Sequence, residues 1–190
     1  MQYLIDQARV FRARVAAHGM DLGDLAGGHR PRALFVSCSD ARVIPALLTG
    51  ARPGDLFELR TYGGQIPRRD TQALSGEART IEYAVEELKV SDIIACGHSR
   101  CDVASDAVRR AETLPANDMS WPDDSALALA GDDTAAGQWH TLAQLDALSG
   151  YPSVIPRLAD RSLRLHAWFY DVDTGACLQY QPRASAFLPL

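Results

Sequence analysis

The chain has 190 residues, 47% of them apolar and 23% charged, with a formal net charge of −5. That length and apolar content suit one domain with its own core, and the lack of a basic block argues against nucleic acid as the main partner. No apolar run reaches the length of a membrane span, and the first residues lack the parts of a signal peptide. Four cysteines (Cys38, Cys96, Cys101, Cys177) are too few for a disulfide scaffold, so a cytoplasmic setting is expected.

Leu4, Ala8, Phe11 and Val15 recur at helical spacing and predict an amphipathic helix over 3–17, ended by Gly19, Gly23, Gly27 and Gly28. Ala33–Cys38 is apolar on both faces, as expected of a strand inside a parallel sheet. Pro45–Thr49 reads as a short helix closed by Gly50, and Leu56–Arg60 as a strand entered through Arg52-Pro53-Gly54-Asp55. A glycine loop follows, Thr61-Tyr62-Gly63-Gly64-Gln65. Residues 76–89 carry the stripe Ile81, Ala84, Val85 and Leu88 and predict a helix. Ile93–Cys96 is a third strand, with a helix from Cys101 through Arg110. Residues 113–137, rich in Pro, Asp, Gly and Ala, read as the most variable stretch, short elements or loops with turns at Pro115 and Pro122. A helical pattern resumes over Thr141–Leu148, and Leu163–Val172 reads as the final strand, closed by the turn Asp173-Thr174-Gly175. Strands alternating with helices predict an α/β fold: a single domain over 1–190 with a central, mostly parallel sheet flanked by helices.

Two of these strands end in metal-binding residue types. Ile93-Ile94-Ala95-Cys96 runs into Gly97-His98-Ser99-Arg100-Cys101, where imidazole and thiolate three apart can reach one small cation. Ala33 to Ser37 runs into Cys38-Ser39-Asp40-Ala41-Arg42. Cys38, His98 and Cys101 supply the three protein ligands that a catalytic zinc commonly has. Cys101 also stands near a predicted helix N-terminus, which lowers a thiol's pKa. Either cysteine alone reads more simply as a small core residue; the three ligands together read as zinc. Asp40 and Arg42 read blandly as a surface ion pair. Beside a metal they form a dyad in which Arg42 keeps Asp40 ionised and off the ion, so that Asp40 takes a hydrogen bond from bound solvent. Without that clamp Asp40 becomes a possible fourth ligand. Other readings fit poorly: the Cys38-to-Arg42 spacing is too short for a cysteine phosphatase, and no Gly-x-Ser-x-Gly elbow is present. Asp171 to Gly175 is too short for a calcium loop and reads as a hairpin turn.

The two motifs, Cys38-Ser39-Asp40-Ala41-Arg42 and His98-Ser99-Arg100-Cys101, resemble the hallmarks of the β-class carbonic anhydrases. The likeness extends through Gly76–Tyr83 with Ala84-Val85, Gln144-Leu145 to Tyr151-Pro152, and His166-Ala167-Trp168-Phe169-Tyr170-Asp171 to Thr174-Gly175. The resemblance implies zinc on Cys38, His98 and Cys101, an Asp40–Arg42 dyad, and pocket positions at Phe57 and Tyr83. It also implies a homodimer or homotetramer, with the N-terminal helical arm (1–30) packing on a partner subunit and pockets at the dimer seam. Three places depart from the family pattern. Asp102 replaces the glycine that usually follows the second cysteine, and so close a carboxylate would repel anionic product and raise the pKa of bound water. The loop Arg60-Thr61-Tyr62-Gly63-Gly64 places Tyr62 and Gly64 where Arg-Asn-Ala-Gly-Asn is usual, and His29 stands where a glutamine often contacts substrate from the partner chain. Each fits drift as well: Asp102 capping its helix, Tyr62 turned into the core, His29 at the surface. The expected activity is zinc-dependent, reversible hydration of CO2. Its rivals are action on another small electrophile and a zinc-bound dimer without catalysis.

Overall fold

A computed structural model describes residues 1–19, 22–69, 75–111 and 133–190. Among them one six-stranded sheet, in the order β2-β1-β3-β4-β5-β6, organises the chain. β1 (Ala33–Cys38), β2 (Leu56–Thr61), β3 (Asp92–His98) and β4 (Arg164–Tyr170) are parallel; β5 (Cys177–Gln181) and β6 (Ala186–Pro189) extend the sheet in antiparallel fashion. β1 is buried at every position, as a strand covered on both faces must be. Leu34 and Val36 of β1 and Ile93 and Ala95 of β3 join Ile81, Ala84 and Val85 of α5 (Gly76–Glu86) in the larger core cluster. That cluster also holds Leu148, from α7 (Asp133–Ser149), and Tyr151. Phe35, Ile94 and Cys96, of opposite parity, form a second cluster with Trp168 and Tyr170 packed against it. Ser75 caps α5 by accepting the Ala78 N–H at 3.2 Å.

β1 and the short helix α4 (Pro45–Thr49, closed by left-handed Gly50) have the predicted bounds. The N-terminal helix predicted over 3–17 instead breaks in two, α1 (Gln2–Arg9) and α2 (Phe11–Ala17), at Val10 with φ −95° and ψ 4°. Only Val15 of the two helices is buried, so no packing within the chain holds them as one rod. A third short helix, α3 (Gly23–Ala26), precedes β1. α6 (Asp102–Ala111) follows β3 as expected.

Three expectations need correcting. Leu163–Val172 does not hold the final strand: β4 ends at Tyr170 and two more strands follow the Asp171–Gly175 turn. β5 and β6 are short and at most half-buried, so little apolar alternation announces them. α7 begins at Asp133, eight residues before the predicted helix; Gly137, read as a loop residue, is where this helix approaches the sheet. A Cβ there would lie 2.8 Å from the Phe169 ring and 3.0 Å from the His98 carbonyl oxygen. Finally, a short helix that the sequence reading does not include, α8 (Val154–Ala159), carries Pro156 in its first turn, where a helix tolerates proline. The predicted turns at Pro115 and Pro122 lie outside the described residues.

Candidate metal centre

β1 sits between β2 and β3, so the chain leaves its first strand to one side and returns on the other. Open α/β sheets bind ligands at such a switch point, beyond the C-terminal strand ends. Cys38 ends β1, His98 ends β3, and Cys101 immediately precedes α6. Their ligand atoms all lie within 4.8 Å of one another, and all three residues are buried.

The imidazole is poised by its neighbours. His98 Nδ1 lies 2.9 Å from the Ser99 carbonyl oxygen, which can only accept, so Nδ1 carries the hydrogen and Nε2 the lone pair. Nε2 is buried with no hydrogen-bond partner, a costly arrangement unless a cation or proton completes it. Burial opposes charging of this ring, yet the Cys38 sulfur and the Ser99 carbonyl raise its pKa above the ordinary value. A hydrogen bond from Cys101 pushes the Cys38 thiol below its ordinary range against the cost of burial, with further help from His98 and the Asp40 amide. Cys101 is raised in turn, first by the Cys38 sulfur and then by burial. Two sulfurs and one lone-pair nitrogen, with one sulfur readily ionised, fit a soft-tolerant tetrahedral cation such as zinc with a fourth position open.

The dyad is formed. Arg42 grips Asp40 as a fork, Nη2 to Oδ2 at 2.6 Å and Nε to Oδ1 at 3.0 Å, while its own backbone N–H donates to Oδ1 at 2.8 Å. These bonds hold the Asp40 carboxyl well below the usual carboxylate range. In this geometry Asp40 is turned to Arg42 and is not among the clustered donor atoms. Arg42 Nη2 also donates to the Arg100 carbonyl at 3.1 Å. Asp102, exposed at the first position of α6, adds to the field on Arg42, whose pKa is raised first by Asp40.

Residues outside the motifs hold the loop in place. Arg60 donates to the carbonyls of Cys38 (3.3 Å), Asp40 (2.8 Å) and Val43 (2.7 Å), and Ser39 N–H donates to Thr61 O at 2.8 Å. Gly64 has a left-handed φ of +67°, and a Cβ there would come within 3.2 Å of the Cys38 amide nitrogen. His140, buried on α7, donates through Nε2 to Gly63 O at 2.8 Å. Neither residue stands out in the sequence: Arg60 ends a predicted strand, and His140 precedes the helical pattern over Thr141–Leu148.

The pocket residues expected from sequence fall into two groups. Tyr62 is 68% exposed and borders a cavity of ≈ 460 Å³ with Gln65, Ile66, Arg68, Glu77 and Gln144. With Gly64 and Asp102 it lies at the metal end of the sheet. His29, Phe57 and Tyr83 instead form their own aromatic cluster, with ring centroids 6.2 Å and 5.8 Å apart. Phe57 pairs with Leu34, four residues before Cys38, which is about 13 Å along the strand. His29 and Tyr83 pack against the Phe57 ring rather than appearing among the clustered donor atoms.

A family model for carbonic anhydrase matches residues 33–177. A carbonic anhydrase of Synechocystis sp. is 35% identical over 196 residues, covering 95% of this chain and 71% of that protein. One of Pseudomonas aeruginosa is 36% identical over 164 residues, covering 80% and 74%. The β-carbonic anhydrase CcaA has a matching structure, with a TM-score of 0.82 at 30% identity, covering 100% of this chain and 92% of that one. The chain belongs to the β-class carbonic anhydrases, lyase-type enzymes whose general reaction is the hydration of CO2. One of two tetrameric β-carbonic anhydrases from Sordaria macrospora shares the fold, with a TM-score of 0.74 at 24% identity, covering 94% of this chain and 95% of that one. Among the described residues no helix is long and apolar enough to cross a membrane.

Proposed function

We infer that this protein is a zinc-dependent enzyme that reversibly hydrates CO2 to bicarbonate, acting in the cytoplasm as one zinc-binding domain over 1–190. The observation that carries this reading is the buried Cys38–His98–Cys101 cluster, with His98 Nε2 lacking a hydrogen-bond partner, beside a formed Asp40–Arg42 dyad. Cys38, His98 and Cys101 would hold zinc, which supplies the Lewis acidity that makes water a nucleophile near neutral pH. Asp40, kept ionised by Arg42, accepts a hydrogen bond from the attacking water and fixes its orientation. Arg42 also keeps the carboxylate from taking the open coordination position. The side chain of Asp40 is 22% exposed, which gives the released proton a way to solvent.

The same reading makes the protein a homodimer or homotetramer. Phe57 pairs with Leu34, four residues before Cys38, and His29 and Tyr83 pack on its ring, so the three would serve a partner's pocket. The apolar side chains of the N-terminal arm, Leu4 and Phe11 among them, are exposed and suit a partner surface. The test is the zinc content and CO2 hydration rate of the purified protein. One zinc per chain, lost in Cys101→Ala, with rapid hydration is expected. Absence of stoichiometric zinc, or zinc unchanged in that variant, would overturn the metal assignment; full zinc with no turnover would favour a non-catalytic descendant.

A second reading rests on the ≈ 460 Å³ cavity beside Tyr62, far roomier than CO2 requires. There Tyr62 would orient a larger electrophile, while Asp102, which does not line this cavity, would act from the start of α6 beside Cys101. If Tyr62→Ala with Asp102→Gly accelerates CO2 hydration, that reading gains; if the natural enzyme is fast and the double variant is no faster, it fails.

A further inference from the structure

The two residues between His98 and Cys101 are fastened to the turn that joins β4 to β5. Ser99 is 4% exposed, and each of its polar groups is engaged. Its N–H donates to Tyr170 O at 3.0 Å. Its hydroxyl donates to Asp171 Oδ1 at 3.3 Å and accepts the Val172 N–H at 2.9 Å. Its carbonyl takes the Nδ1–H of His98. Asp171 is the hub of the turn: Oδ1 also accepts the Asp173 N–H at 2.9 Å, the backbone N–H donates to Ala176 O at 2.9 Å, and the carbonyl accepts the Gly175 N–H at 2.8 Å. The turn is thus a hydrogen-bonded body into which Ser99 is plugged.

We propose that Asp171 and Ser99 are positioning residues of the metal centre, which fix the Ser99 peptide so that its carbonyl holds the His98 ring with Nε2 toward the two sulfurs. This rests on the zinc reading above. Metal-binding histidines are oriented through their second ring nitrogen, and changes to that support commonly cost ten- to a hundredfold in metal affinity. Here the supporting carbonyl belongs to the next residue, so what locks that residue sets the ring. Removing the hydroxyl orphans the half-buried Val172 N–H; threonine keeps both roles. The neighbouring contact weighs less. Arg100, left-handed at φ +56°, reaches Asp173 at 2.7 Å, but both side chains are more than half exposed, where an ion pair contributes little.

The experiment follows the rate at which a chelator strips zinc from the holoprotein, and the imidazole nitrogen resonances of His98 in metal-free protein. Ser99→Ala and Asp171→Ala are expected to release zinc about tenfold faster or more and to lose the single Nδ1–H tautomer. Ser99→Thr and Asp171→Asn, which keep the hydroxyl and the acceptor oxygen, are expected to stay near wild type, as is Asp173→Ala. Alanine variants with unchanged zinc release and an unchanged tautomer would overturn the proposal. So would conservative variants as impaired as the alanines, or Asp173→Ala releasing zinc as fast as Asp171→Ala. A wild-type chain that holds no zinc, yet shows the Nδ1–H tautomer only while Ser99 and Asp171 are intact, would overturn the zinc reading and support the positioning role.

Discussion

Arg60 shows how much of the site depends on a side chain outside both motifs. Its guanidinium reaches carbonyls 22, 20 and 17 positions earlier in the chain, a fork geometry that lysine cannot reproduce. Arg60→Lys should leave the sheet folded, with an unchanged far-ultraviolet spectrum, and slow CO2 hydration about tenfold by loosening the loop that carries Cys38 and Asp40. Arg42→Gln separates the dyad from the metal: zinc content should stay at the wild-type level while hydration is largely lost, measured on the same preparation. At this scale the clustering of Cys38, His98 and Cys101 was legible, because it rests on side-chain type and spacing at two strand ends. Arg60 was not, because its partners are backbone carbonyls, which no residue name reveals.

Elements are held to each other by a few contacts that can be tested singly. Where α7 crosses the sheet, Gly137→Ala would press a methyl group against Phe169 and the His98 carbonyl; overpacking of this kind costs about 1–3 kcal/mol, readable as a lower urea midpoint. At the opposite end of β3, Asp92 binds Arg164 and His166 of β4, at 2.8 Å each, and Ser91 at 2.7 Å. Burial raises the Asp92 pKa, but these partners outweigh it and bring the pKa from 3.8 to about 2. A carboxyl depressed on folding stabilises above its unfolded pKa, and that contribution fades as pH falls toward the folded one. Asp92→Asn should therefore cost about 2 kcal/mol at pH 7, and its urea midpoint should converge on that of wild type as pH drops from 4 toward 2. Continuous apolar runs made β1 and β3 readable. β5 and β6 escaped because antiparallel extensions of modest burial need no such run, and α7 was read short because its close-approach glycine looks like a loop residue.

For the whole molecule, the exposed arm and the stranded aromatic cluster point the same way. The protein should sediment as a dimer or larger, and Leu4→Asp with Phe11→Asp should shift it toward monomer. Hydration should fall with the shift while zinc per chain is kept, since the ligands all come from one chain. The order of the strands has a temporal consequence. A ribosome delivers Cys38, His98 and Cys101 early, yet the aspartate that clasps Ser99 comes 72 positions after that serine, and β4 pairs with a strand made equally long before. Distant pairings of this kind close slowly. On the zinc reading, the nascent chain therefore displays its two thiols before the aspartate that bonds Ser99 is made, and durable metal capture would fall to the last stage of maturation.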